Sequence, residues 1–276
     1  GSEAPQAEQQ QQAVATPAPS PTATPAPMKE DSQPVVTDEI VKSIINVVNE
    51  AGFEPRTIGV LYAMYMTGKT TFLAYLAHSL MRAGIVKDSF LILTESNTLQ
   101  GKNPLIERIR RLVPNTEYVE PSILKVSKAI SNITSSNSEV FIGLDGLGSI
   151  ILHTMNELNR ERNRVMDTLP ASSKVIPMIN SFIEDVATQV VTTKSTMLIT
   201  AHEQQVIVTR EQQDTANTWF NETAKPSFTS RGLHSTAYVW RMIARDDGTR
   251  VLKVVVDRNH YGKLNGKIIV LPKLVL

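Results

Sequence analysis

The chain places "AMYMTGKT", Ala63 to Thr70, between an apolar run, "TIGVLYA", and a helix-patterned stretch, "KTTFLAYLAHSLMRAG". No other feature constrains the fold as much. A buried strand that enters a turn ending in Gly-Lys-Thr and passes straight into a helix has a physical logic. Backbone N–H groups and the positive helix N-terminus surround an anion, and a phosphate fits best. Lys69 then reaches the outer phosphate oxygens, and the Thr70 hydroxyl is placed for Mg²⁺. The expected nucleotide-binding stretch is therefore Ala63, Met64, Tyr65, Met66, Thr67, Gly68, Lys69, Thr70 and Thr71. Ala63 stands where a glycine is usual, which alanine tolerates at negative φ. Met64, Tyr65 and Met66 put bulk in the turn and leave three readings open. They seal the loop against a neighbour, stack near a nucleotide, or obstruct turnover.

Such a junction needs a sheet, and the rest of the chain supplies one. "SFLILTE", "EVFIGLD" and "STMLITAHEQ" read as further buried strands. Between them lie "NPLIERIRRLV", "PSILKVSKAISNIT" and a region from 150 to 192 that the pattern predicts as helical, broken at Pro170 and Pro177. Ahead of the loop, "TDEIVKSIINVVNEAG" carries an N-cap, helical spacing and a closing Gly52. Near the end, "TAYVWRMIA" and "TRVLKVVVDRN" flank "RDDGT" as a hairpin, and "GKIIVLP" closes the chain. Strands alternating with helices and then a β-rich end predict an α/β fold. Its central sheet is mostly parallel and flanked by helices, with an antiparallel C-terminal β extension.

Residues 1–34 differ. "QAEQQQQAVATPAPSPTATPAPMKEDSQP" is rich in Gln, Ala and Pro and holds no aromatic residue. It buries too little apolar surface to offset its ordering entropy, so a disordered tail is expected there and one domain over 35–276. The chain has no cysteine, which excludes disulfides, thiolate metal sites and a cysteine nucleophile. No run approaches the roughly 18 apolar residues of a membrane helix. The expectation is a soluble, cytoplasmic chain with no membrane partner. A net charge of +1 argues neither for nor against nucleic acid.

A phosphate loop of this kind needs an acid near Mg²⁺ and a base near the attacking water. Asp145, at the end of the apolar "FIGLD", is the candidate for the metal side together with Thr70. Gly146 follows it, so the base comes from elsewhere, and Glu95 at the end of "LILTE" supplies one. Taken singly, Glu95 also reads as an ordinary solvated strand end.

A Gly-Lys-Thr-Thr loop, a strand ending in Thr-Glu, one ending in Asp and one ending in "TAH" resemble the RecA-type ATPase core. That group includes the RecA/RadA recombinases, the KaiC-like proteins and the DnaB-type replicative helicases. The resemblance covers roughly 37 to 272 and implies a RecA-like P-loop fold that hydrolyses ATP with Mg²⁺. By position it makes Glu95 the catalytic glutamate and Asp145 the Walker B aspartate. It makes His202 either a polar sensor of the γ-phosphate or a strand-end histidine with no role. Arg258, in "DRNHYGKLNG", matches the basic residue that reaches a neighbouring subunit's nucleotide, or else is a surface hairpin arginine; Lys253 is a second candidate. The implied active unit is a ring or filament of this chain.

The same resemblance implies single-stranded DNA contact through loops near 150–175 and 203–231. The first holds Arg160, Arg162 and Arg164, and the second interleaves Arg210, Lys225 and Arg231 with Trp219, Phe220 and Phe228. Cations among stacking aromatics suit a single-strand groove, although "NRERNRV" also reads as a solvated helix face. A Phe-x-x-Ala polymerisation linker, a helix-hairpin-helix domain and a zinc module are missing. Besides recombination, repair or translocation on DNA, two readings stay open. One is a KaiC-like regulatory ATPase directed at a protein, and the other is a nucleotide-binding module with little turnover.

Overall fold

The computed structural model describes residues 1, 36–165, 171–205, 224–226 and 235–276. The expected disordered tail therefore lies outside the described residues, apart from Gly1. The remainder belongs to one unit, Pro34–Leu276.

Its parallel strands are β1 (Ile58–Ala63), β2 (Ser89–Leu93), β3 (Thr116–Tyr118), β4 (Phe141–Asp145), β5 (Thr196–Gln205) and β7 (Tyr238–Ala244). Two more, β8 (Arg250–Asp257) and β9 (Ile268–Val270), continue the sheet antiparallel to their neighbours. The order across the sheet is β3-β2-β4-β5-β1-β7-β8-β9, and a short β6 (Ala224–Pro226) pairs antiparallel with the outer end of β5. The expected α/β architecture is present, with its parallel sheet and its antiparallel C-terminal part.

Helices cover both faces, so the central strands are apolar throughout rather than alternating. On one face α1 (Asp38–Glu50), α2 (Lys69–Arg82) and α3 (Leu105–Leu112) pack on Leu61, Leu91, Leu198, Trp240 and Leu252. On the other, α4 (Ile123–Ser136), α5 (Leu147–Val165) and α6 (Ala171–Thr192) pack on Val60, Tyr62, Ile142, Ile199 and Val239. The Thr37 hydroxyl caps α1 by accepting from Ile40 N at 3.3 Å, as its sequence suggests.

Two expectations need correction. Pro177 lies inside α6 and does not break it. The ring forgoes one backbone hydrogen bond, and the buried stripe Ile179, Phe182, Ile183, Val186 and Val190 keeps the helix in one piece. The segment near 150–175 is not mainly a loop, because α5 runs to Val165 and α6 starts at Ala171, with 166–170 outside the described residues. Leu147, Ile150 and Thr154 recur at helical spacing on a buried stripe, which makes "NRERNRV" the end of a helix and leaves Arg160 exposed on it. The edge strand β3 and the short β6 had no sequence expectation. Most of the segment 203–231 lies outside the described residues, including Arg210, Trp219, Phe220, Phe228 and Arg231.

Among the described residues no helix is long and apolar enough to cross a membrane.

Candidate active site

Chain order and sheet order differ at one place that matters. From β1 the chain crosses to β2 and then returns to insert β4 and β5 between them. The C-terminal ends of β1, β4 and β5, and the turn after β2, thus face one crevice, where open α/β sheets place their ligands.

The phosphate loop leaves β1 at Ala63 and enters α2 at Lys69. Two of its residues take left-handed backbone, Met66 (φ 61°) and Gly68 (φ 102°). The Thr67 hydroxyl donates to Met64 O at 2.8 Å and ties the turn together. Lys69 is buried and folds back on the loop, donating to Ala63 O at 3.2 Å and Met64 O at 3.1 Å. Burial pushes its pKa down, and Asp145, Glu95 and Glu203 push back up. Two of the three Nζ–H groups are thus used by loop carbonyls.

The bulky triplet does not fill the loop. Met64, Tyr65 and Met66 are 61%, 63% and 84% exposed and project outward. Tyr65 lies over His202 with ring centroids 5.7 Å apart, and its hydroxyl is 3.4 Å from Asn97 Nδ2.

Asp145, at the end of β4, is buried, and both of its oxygens are taken. Thr70 donates to Oδ2 at 2.7 Å, and Thr200 on β5 donates to Oδ1 at 2.6 Å. The Thr200 hydroxyl in turn accepts from Gly146 N at 3.0 Å. Burial raises the Asp145 pKa, and the Thr200 and Thr70 bonds pull it back. Thr94, at the end of β2, anchors the same corner. Its hydroxyl lies 2.9 Å from Asp145 O and 2.8 Å from Gly146 O, which share its proton.

Glu95 follows Thr94 and meets His202 of β5, Oε1 to Nε2, at 3.1 Å. An ionised carboxylate only accepts, so Nε2 carries the proton. This hydrogen bond is the main cause that holds the Glu95 carboxyl below the usual glutamate range. The pair closes over the end of β4 because glycines stand beneath it. A Cβ on Gly146 would lie 2.6 Å from Thr94 Oγ1, and one on Gly148 would lie 2.8 Å from His202 Cδ2. Gly146, which sequence reading noted only as the place where an acid is missing, is thus required by the packing of Thr94 and Glu95.

Lys69, Thr70, Asp145, Glu95 and His202 are therefore gathered into one crevice. Arg258 is not. It follows β8, hydrogen-bonds Ala237 O through its backbone, and lies level with the start of β1, at the opposite end of the sheet from the loop. Its guanidinium donates to Thr236 O. Lys253 lies on β8 opposite Arg241 of β7.

Thr94, Gly148, Thr200, Arg250, Glu203 and Arg241 escaped sequence reading. Thr200 was legible, since it lies two residues before His202 on a strand and so shares its face. Arg250 and the Glu203–Arg241 pair carry no local signal. Arg241 bonds Glu203 through Nε at 3.1 Å and Nη2 at 3.4 Å, bridging β5 and β7 where β1 ends between them.

The residues fit Mg²⁺ and a polyphosphate. Among the described residues no cluster of three or more His, Asp or Glu could hold a metal by itself. Mg²⁺ needs no such cage, because one or two protein oxygens plus phosphates and water complete its shell. Thr70 Oγ1 beside Asp145 Oδ2 supplies that oxygen edge. No protein-family model matches the chain, and no curated protein matches it.

Proposed function

We propose that this chain is a Mg²⁺-dependent ATPase of the RecA-like group, assembled as a ring or filament and acting on DNA. The observation that carries the reading is the Thr70–Asp145 contact at 2.7 Å, with the buried Lys69 beside it. It joins the second residue of α2, just past the loop, to a buried acid on a strand not adjacent to β1, which suits a shared metal site. Strand order, with four strand ends around one crevice and an antiparallel extension beyond β7, supports the RecA-like assignment.

In this reading Lys69 and the N-terminus of α2 bind the phosphates, and Thr70 with Asp145 holds the metal. Bound Mg²⁺ would offset charge on the β- and γ-phosphate oxygens. Glu95, kept ionised by His202, orients the attacking water and accepts its proton, while His202 responds to the γ-phosphate. The exposed side chains of Met64–Met66 leave the loop interior open, which favours turnover over a blocked binding module. Arg258, exposed and remote from its own loop, acts only on a neighbour's site. The DNA assignment rests on the family resemblance.

Steady-state ATP hydrolysis with and without single-stranded DNA tests the proposal, with Lys69→Ala as control. Turnover that DNA stimulates and the mutation abolishes supports it. Turnover indifferent to DNA moves the reading to a protein-directed switch, and nucleotide binding without turnover rejects the ATPase.

A further inference from the structure

Arg250 opens β8, directly after the "RDDGT" turn, far from the phosphate loop in sequence and against it in space. Its Nε donates to Thr67 O at 2.5 Å. The same guanidinium packs on the next residue, since a Cβ on Gly68 would lie 3.2 Å from Nε and 3.5 Å from Cζ. The Arg250 backbone is fixed as well, because its carbonyl accepts from Leu271 N at 2.9 Å and it pairs with Ala244 across the hairpin.

The Thr67–Gly68 peptide is trans and planar, like every other described peptide in being free of cis geometry. In a trans peptide the carbonyl and the next N–H point to opposite edges. Holding Thr67 O on the Arg250 side therefore holds Gly68 N–H on the side away from Arg250. Gly68 sits at φ 102°, a conformation only glycine adopts freely, so this peptide has the weakest intrinsic preference in the loop.

We propose that Arg250 is a positioning residue, fixing the Thr67–Gly68 peptide so that its N–H faces the phosphates of a bound nucleotide. It acts through the loop backbone. A small cavity of about 40 Å³ beside it is lined by Gly68, Thr71, Phe72, Met242, Arg250 and Leu271. The inference rests on the nucleotide reading above, and the test separates the two.

Wild type, Lys69→Ala, Arg250→Met and Arg250→Lys are titrated with Mg-ADP and with Mg-pyrophosphate, and their unliganded thermal unfolding is compared. Arg250→Met weakens both ligands by the same factor, roughly tenfold. Arg250→Lys keeps a cationic donor without the planar fork and recovers part of the loss, leaving about threefold. In ATP hydrolysis the KM of Arg250→Met rises by the same factor, while kcat at saturation stays within about twofold. Affinities equal to wild type in both variants overturn the inference. So does a loss for ADP with none for pyrophosphate, which would assign Arg250 to the nucleoside. A drop in unfolding temperature without any change in affinity reduces Arg250 to a structural contact and also overturns it. Wild type that binds neither ligand overturns the nucleotide reading itself.

Discussion

Glu95 and His202 come from strands on opposite sides of β4, and they meet above its end at 3.1 Å. The pairing has a pH consequence with a definite sign. The Glu95 pKa is lowered, first by the His202 hydrogen bond, with burial acting the other way. A carboxyl lowered in the folded state contributes stability above its unfolded pKa and loses it as pH falls through the folded one. On the proposed ATPase reading, in which Glu95 must be ionised, the acid limb of hydrolysis is expected below the ordinary glutamate range. In His202→Ala that limb moves up in pH, because the largest stabiliser of the carboxylate is gone. A pH profile of kcat for both proteins checks this, and superimposable acid limbs would reject the pairing.

Gly148 isolates that pair from the fold. It lies in α5 without positive φ, so alanine there suits the helix by up to about 1 kcal/mol. Its new methyl would nonetheless stand 2.8 Å from His202 Cδ2 and displace the ring. Gly148→Ala is expected to keep or raise stability in urea while, on the ATPase reading, hydrolysis falls roughly tenfold, a partial loss of the roughly 10²–10⁴-fold that general-base catalysis contributes. Gly146→Ala behaves differently. Its φ is 109° and its Cβ would meet Thr94 Oγ1 at 2.6 Å, so stability itself falls, by about 1–3 kcal/mol. If both alanines lowered stability and activity alike, the separation of the two roles would be wrong.

Thr200 supports Asp145 without reaching any ligand. Thr200→Val leaves Asp145 Oδ1 and Gly146 N without their partner in a buried corner, at a cost of about 1–3 kcal/mol. The cost depends on pH. Burial already raises the Asp145 pKa, and the Thr200 bond opposes that rise. Without the bond the folded pKa climbs further above the unfolded one, so stability is lost as pH rises between those two values. Urea unfolding across that window should show a penalty that is small in acid and full at neutral pH. A pH-independent penalty would mean that Thr200 does not act on the carboxylate.

Much of this was legible because the strands that build the crevice are continuous apolar runs, which only a sheet covered on both faces requires. "TIGVLYA", "FIGLD" and "TAH" place Lys69, Asp145 and His202 near strand ends. What escaped was of two kinds. β3 is a three-residue edge strand, too short to show a period, and Pro177 looked like a helix end because local preference is read without the packing that overrides it. Arg250 and the Glu203–Arg241 bridge are tertiary. They reach the loop through the register of β7 and β8, and no spacing in the chain encodes it. Gly148 was hidden for the same reason, since its small size matters only once His202 stands over it.

The loop holds one left-handed position too many for its residue types. Gly68 takes φ 102° without penalty, but Met66 takes φ 61° with a side chain that is 84% exposed. An ordinary residue in that region costs about 1–2 kcal/mol. Glycine would remove this strain and lose roughly 0.5–1 kcal/mol of it to extra freedom in the unfolded chain. Met66→Gly is therefore expected to stabilise the unliganded protein by about 0.5–1 kcal/mol. Gly68→Ala is expected to do the reverse, adding strain at φ 102° and pressing on Arg250 Nε at 3.2 Å. Urea midpoints at unchanged m-values measure both. A Met66→Gly variant less stable than wild type would show that the exposed thioether is held by contacts worth more than the strain, and that the loop owes its shape to Met66 rather than to Gly68 and Arg250.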